Sequence, residues 1–198
     1  MLEPEKLPLS VDALKRGDRA EFARLVDEYS LHIYRLALRL LGNPQDAEDV
    51  LQNTFLNALR ALPKFESRSS LSTWLYRIAV NEALMMIRKR KPQISLTPVN
   101  EEGDEDEDGE EMQIVDWGHL PESDLLSNEA RQHVDAAIQR LPDTLRVVFL
   151  LRDIEGLSIE ETAATLHISQ AAVKTRLLRA RLHLREDLSD YYRERIQA

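Results

Sequence analysis

The sequence predicts an all-α protein of two small helical domains joined by a flexible acidic linker, and three observations predict it. Apolar residues recur at three- and four-residue steps over long stretches, the spacing of amphipathic helices. Only 6 glycines and 8 prolines occur in 198 residues, too few turn residues for a many-stranded sandwich or barrel. The charge is segregated: residues 1–92 carry 15 basic and 12 acidic side chains, residues 93–130 carry 13 acidic and no basic ones, and residues 131–198 carry 11 and 10. The net charge of −9 therefore comes from one segment, and its densest run, EEGDEDEDGEE from Glu101 to Glu111, reads as a solvated tether between two mildly cationic modules.

Composition also excludes several classes of function. Without cysteine there are no disulfides, thiolate nucleophiles or cysteine-ligated metal sites. No window approaches the roughly 18 consecutive apolar residues of a membrane span, and Met1 to Ser10 lacks the basic start and apolar core of a signal peptide. A cytoplasmic protein with no membrane insertion is expected. The five histidines, at 32, 119, 133, 167 and 183, are scattered without metal-ligand spacing, and no nucleophile–base pair stands out, so neither a catalytic residue, a metal nor a cofactor is expected.

The first helix runs from Asp18 to Gly42 with Phe22, Leu25, Val26, Tyr29, Ile33, Leu36, Leu40 and Leu41 at helical spacing. Asn43 then caps a second helix that has Pro44 at its first position and Asp46 in its first turn. Its apolar side is Ala47, Val50, Leu51, Thr54, Phe55, Ala58, Leu59 and Leu62; its polar side is Asp46, Asp49, Gln52, Asn53 and Asn57. A polar stretch from Lys64 to Ser70 precedes a third helix over 71–90, with Trp74, Leu75, Ile78 and Ala79 inward. That helix closes on Arg88, Lys89, Arg90 and Lys91, more cations than capping needs, which points to phosphate contact.

After the tether, Leu125 to Leu141 reads as a helix stopped by Pro142, and Asp143 to Asp153 as another, with Leu145, Val148, Phe149 and Ile154 facing a core and Gly156 closing it. Ser158 and Glu161 form a capping box for a short helix carrying Ile159, Thr162, Ala163 and Leu166. His167, Ile168 and Ser169 make a turn, and Ser169 caps a longer helix with Val173, Leu177, Ala180 and Leu184 inward. A short helix, a three-residue turn and a longer helix make the helix-turn-helix plan, whose second helix enters the DNA major groove. Lys174, Arg176, Arg179, Arg181 and Arg185 crowd that helix, and no acid interrupts it before Glu186.

The runs DAEDVLQNTFLNAL (46–59), STWLYRIAVNEAL (72–84) and LPDTLRVVFLLRDIEGLSIEETAATLHISQAAVKTRLLRARLHLRE (141–186) resemble bacterial RNA polymerase sigma factors of the extracytoplasmic-function class. The resemblance implies region two over 10–92, a linker over 93–124 and region four over 125–188. It implies that Asp46, Asp49, Gln52 and Asn53 bind the beta-prime clamp of the polymerase core, Asn53 standing where the family usually has Glu. The beta subunit is implied as a further contact. It places recognition and opening of the minus ten element on Phe65, Ser67, Arg68, Ser69, Ser70, Arg77, Asn81, Arg88, Lys89 and Arg90, with Leu71 where an aromatic is common. Trp74 has apolar neighbours at helical spacing and is read as core rather than as a wedge for melted DNA.

The minus thirty-five element falls to Ser169, Gln170, Lys174, Thr175, Arg176, Leu178 and Arg179, with Arg181 and Arg185 on phosphate; Leu178 stands where Phe is frequent. The implied partners are the polymerase core, promoter DNA and an anti-sigma factor, and the implied output is transcription initiation at a stress-responsive regulon.

The 35 residues from 93 to 127 span about 30–35 Å as a coil and up to about 120 Å fully extended. Two promoter elements about 20 base pairs apart lie about 70 Å apart, so both modules reach their elements at once. Three roles for the tether follow from its carboxylates: imitation of RNA inside the polymerase, a fold-back onto the basic helices, or a solvated spacer. A DNA-binding regulator with a helix-turn-helix output explains residues 125–188 equally well but leaves the second helix's polar side and the RIAVN segment without a purpose.

Overall fold

The structure, a computed structural model, describes residues 8–90 and 128–196, the side chains of the second stretch from 132 to 189. Lys91, Leu125 and the linker over 93–124 lie outside the described residues. Every regular element described is helical, and the chain divides after Ile87 into two compact units.

In the first unit, α1 (Val11–Lys15), α2 (Arg19–Leu41), α3 (Pro44–Ala61) and α4 (Leu71–Arg90) follow in order, with a 3₁₀ turn at Leu62–Lys64. Local chemistry explains the boundaries. Asp18 Oδ1 accepts from the backbone N–H of Ala20 at 2.9 Å and of Glu21 at 3.1 Å, opening α2. Gly42 ends that helix at φ 67°, a left-handed conformation glycine adopts without strain, and its N–H donates to Leu38 O at 2.8 Å. Asn43 Oδ1 accepts from Asp46 N at 3.2 Å and starts α3. Such caps contribute about 1 kcal/mol each.

The two-residue connection makes α2 and α3 antiparallel neighbours, so Phe22 near the start of α2 meets Phe55 late in α3, ring edge to ring face at 6.3 Å. Leu25, Ile33, Leu36, Ala37 and Leu40 of α2 bury against Ala47, Val50, Phe55 and Ala58 of α3 and Leu75, Ala79, Val80, Ala83 and Leu84 of α4 in one core. Polar ties lock α4 in place: Asn57 Nδ2 donates to Glu82 Oε1 at 2.9 Å, and the Tyr29 phenol pairs with the Ser72 hydroxyl. Burial first, and the neighbouring Glu28 charge second, hold the Tyr29 hydroxyl above the usual phenol range. Trp74 and Ile78, expected inward, are half-buried, and Tyr76 is buried instead.

In the second unit, α5 (Asn128–Arg140), α6 (Asp143–Phe149), α7 (Ile159–Leu166) and α8 (Gln170–Ile196) surround Ile138, Leu145, Val148, Leu150, Leu151, Val173, Leu177 and Ala180. The buried Arg146 satisfies the open end of α5: its guanidinium donates to the carbonyls of Ile138, Gln139 and Leu141 at 3.1, 2.6 and 2.7 Å. Burial lowers the pKa of Arg146, opposed by the charge of Asp143 at 3.2 Å.

The helix expected from Asp143 to Asp153 changes form partway. After Phe149 it widens into a π-helical turn, Leu150–Ile154, closed by Glu155 N donating to Leu150 O at 2.9 Å. Ile154, expected in the core, is thereby left exposed. Gly156 is left-handed at φ 70° as expected, and the Ser158–Glu161 capping box is complete. In the turn between α7 and α8, His167 takes φ 56° and ψ 43°, which costs a residue with a Cβ about 1 kcal/mol. His167→Gly is expected to stabilise this unit by about 0.5–1 kcal/mol, seen as a raised urea midpoint; an unchanged midpoint would show that the imidazole makes a compensating contact.

Candidate nucleic-acid interface

Four surfaces carry the residues singled out in the sequence. On α3, Asp49, Gln52 and Asn53 are exposed on one face. Asp46 does not join them: at 9% exposure it is buried in the first turn, where the helix dipole and the core hold it. Leu56 and Leu59, 51% and 47% exposed, continue the outer face of this helix. The sequence reading missed Leu56 and turned Leu59 inward, because the C-terminal half of α3 is apolar on several sides and fixes no helical phase. The outer face of α3 is thus acidic and amide-bearing at one end and apolar at the other, suited to docking another protein.

Between the 3₁₀ turn and α4, the residues expected to meet DNA divide. Phe65 is buried, with its ring centroid 4.9 Å from that of Trp74 and Lys15 Nζ over the ring at 5.9 Å. It anchors the loop and does not present a ring to solvent. Ser70 is also committed to structure: its Oγ accepts from Thr73 N at 3.1 Å and caps α4. Between these anchors Glu66, Ser67 and Arg68 are exposed and Ser69 is half-buried, with Ser67 left-handed at φ 56° and Arg68 paired to Glu66 at 2.7 Å. Phe65→Ala is expected to destabilise this unit by about 3–5 kcal/mol in chemical denaturation, the cost of emptying a buried aromatic site. A midpoint shift below about 1 kcal/mol would contradict an anchoring role.

On α4, Arg77, Asn81 and Arg88 are exposed and recur at helical spacing with the exposed Met85 between them, while Lys89 and Arg90 extend the cationic end. On α8, Ser169 Oγ accepts from Ala172 N at 3.0 Å and starts the helix, and the exposed Gln170 follows. The inward stripe Val173, Leu177, Ala180 and Leu184 is buried as the spacing predicts. Lys174, Thr175, Leu178, Arg179 and Arg185 are exposed, and Arg176 is half-buried beside the stripe.

Arg181 departs from expectation. Its Nε donates to Asp153 Oδ2 at 2.8 Å and its Nη2 to Asp153 Oδ1 at 2.7 Å, a two-pronged ion pair turned toward the π-helical turn instead of a side chain held out for phosphate. Neither the buried Asp153 nor the buried Arg146 stands out in the sequence: Asp153 meets a base 28 residues away, a separation that leaves no periodic signal, and Arg146 bonds to backbone carbonyls.

Among the described residues no group of three or more histidines and carboxylates could hold a metal ion, and no helix is long and apolar enough to cross a membrane. What the surfaces offer is exposed cations, amides and hydroxyls on helix faces, the chemistry of polyanion and base-edge recognition.

Known proteins are similar to this chain in sequence and in fold. Residues 25–93 match the family model described as Sigma-70 region 2, and residues 131–184 match that of Sigma-70, region 4. The chain is 39% identical over 185 residues to the ECF RNA polymerase sigma factor SigW of Bacillus subtilis, covering 91% of this chain and 95% of SigW. It is 34% identical over 202 residues to the RNA polymerase sigma-H factor of Pseudomonas aeruginosa, covering 98% and 100%. Among solved structures it is similar to the sigma factor RpoE from Bartonella quintana in complex with the anti-sigma factor NepR, with a TM-score of 0.62 at 23% identity over 85% of this chain and 97% of that one, a likeness of fold. With both region models in order on one chain and relatives aligned over nearly their whole length, the chain belongs to the sigma-70 family of RNA polymerase sigma factors, in its extracytoplasmic-function class.

Proposed function

We propose that the first unit binds the beta-prime clamp of the polymerase core through Asp49, Gln52 and Asn53 of α3, extended by Leu56 and Leu59, and contributes the minus ten contacts through Ser67, Arg68 and Ser69 and through Arg77, Asn81, Arg88, Lys89 and Arg90 of α4. The second unit reads the minus thirty-five element through Lys174, Thr175, Arg176, Leu178 and Arg179, with Gln170 at the helix start and Arg185 on phosphate.

The observation that carries this reading is α8: a helix with a buried apolar stripe on one side, exposed cations on the other and no acid before Glu186. A helix that only covered a core would mix both signs on its outer face. Its cations are attracted to phosphate at any sequence, and the affinity falls with salt at a log–log slope of about −0.9 per neutralised phosphate. Arg and Lys also make paired bonds to guanine, which supplies selection. Extruding bases from the minus ten duplex costs a few kcal/mol each, supplied by contacts to the opened strand.

The phosphodiester chemistry in this reading belongs to the polymerase, and the chain itself contributes placement and strand separation without catalysis. The linker over 93–124 has length enough to keep both units on one promoter. The protein works in the cytoplasm at a stress-responsive set of promoters, and an anti-sigma factor restrains it, as a NepR-bound relative suggests. The test is direct: purified chain is mixed with bacterial RNA polymerase core, association is measured by pull-down, and run-off transcription is read from a randomised promoter pool. Discrete starts that depend on the chain support the reading. Absence of association and of starts overturns it.

A further inference from the structure

A base-reading helix selects sequence only as well as its rotation is fixed. Each residue of an α-helix advances the side-chain direction by about 100°, so a rotation of a few tens of degrees exchanges which side chain faces a given base edge. The buried stripe of α8, Val173, Leu177, Ala180 and Leu184, is made of small and branched apolar groups whose attraction is non-directional. Close packing of that stripe sets the helix in place, and a directional contact narrows its rotation further. Arg140 Nε on Asp187 Oδ2 at 2.9 Å is one tie to α8, but its side chains are 58% and 38% exposed and a single contact leaves rotation loosely held.

The Asp153–Arg181 pair differs on both counts. Two parallel N–H to oxygen bonds, at 2.8 and 2.7 Å, fix orientation as well as distance. The Asp153 side chain is only 5% exposed, so water competes poorly for it. Asp153 is itself held by its setting: it lies in the π-helical turn, whose exit is pinned by Leu157 N donating to Leu151 O at 2.9 Å and by the Arg152 guanidinium on Leu157 O. Along α8, Arg181 stands one residue past the buried Ala180, seven residues after Lys174 and three after Leu178. Anchoring it therefore sets the direction in which Lys174, Thr175 and Leu178 point.

We propose that Asp153 and Arg181 form a positioning pair for sequence selection, holding α8 at the angle at which its exposed residues meet base edges, with Arg181 itself off the DNA. This rests on the reading of α8 as the minus thirty-five helix. Arg181→Lys keeps a cation beside the buried carboxylate but loses the two-pronged geometry. The double substitution Asp153→Asn with Arg181→Gln removes both charges and leaves neither one stranded. Holoenzyme reconstituted with each full-length variant, checked for folding by circular dichroism, is titrated with duplexes from the promoter pool carrying the selected upstream element or single base-pair changes in it.

Both variants are expected to reduce the ratio of affinities for selected over altered duplexes by about 5- to 30-fold, a partial loss of base-edge discrimination, while the salt slope stays at the parent value. A slope shallower by about 0.9 in the double variant, with discrimination retained, would mean that Arg181 neutralises a phosphate, and would overturn the proposal. Discrimination and slope both retained in folded variants would reduce the pair to a packing contact and overturn it as well. Lys174→Ala and Arg176→Ala serve as the separate check: if they too leave discrimination intact, the base-reading assignment of α8 fails rather than the positioning role alone.

Discussion

Arg176→Ala combined with Arg179→Ala is expected to lower transcription from a cognate promoter by about 30-fold to 2 × 10⁴-fold while leaving association with the polymerase core unchanged, the product of two contacts of about 1–3 kcal/mol each. Neither side chain belongs to the inward stripe of α8, which rests on Val173, Leu177, Ala180 and Leu184. Alanine is at least as good a helix former as arginine, so the helix survives both substitutions. The two positions lie one turn apart and share a surface, so their effects are expected to couple, and the single variants are needed to apportion the loss. Run-off transcription and a core pull-down on the same preparations decide the matter. Full transcription from the double variant would remove α8 from promoter reading.

The opposite pattern is expected on α3. Asp49→Ala with Gln52→Ala, and separately Leu56→Ala with Leu59→Ala, are each expected to weaken core association by about 10- to 100-fold, the effect of removing central residues from a protein interface. All four side chains are exposed, so stability should change by no more than about 0.5 kcal/mol per site. The leucines are the sharper test, since two half-exposed apolar side chains beside a polar patch serve the isolated chain little. Core affinity within twofold of the parent for both pairs would place the docking surface elsewhere.

Much of the architecture was legible in the sequence because it is set by local chemistry. The Asn43–Pro44 start, the Gly42 and Gly156 stops, the Ser158–Glu161 box and the Ser169 cap each depend on residues within four positions, and each appears in the structure. The inward stripe of α8 was legible for the same reason. What escaped depends on partners distant in sequence or on helical phase. Helix α1 has five residues, too few to show a period, and its Leu14 buries only because the chain folds back. Phe65 sits in a polar stretch that marks a loop, and nothing local says that its ring packs at a tilt against Trp74. Arg181 looked like one more cation on a cationic helix until Asp153 came to meet it. At the candidate interface, residue types were readable, but which of them point outward was not: Asp46, Phe65 and Arg181 turn into the structure while Leu56 and Leu59 turn out of it.

On the proposed function, two helical units on one chain hold two separate stretches of a promoter while the polymerase carries out the chemistry. Sequencing the templates that chain and core together transcribe from a randomised pool tests it most directly. Two blocks of preferred sequence about 20 base pairs apart are predicted, the upstream one lost with Arg176→Ala and Arg179→Ala. A single block, or transcribed templates no different from the input pool, would contradict it.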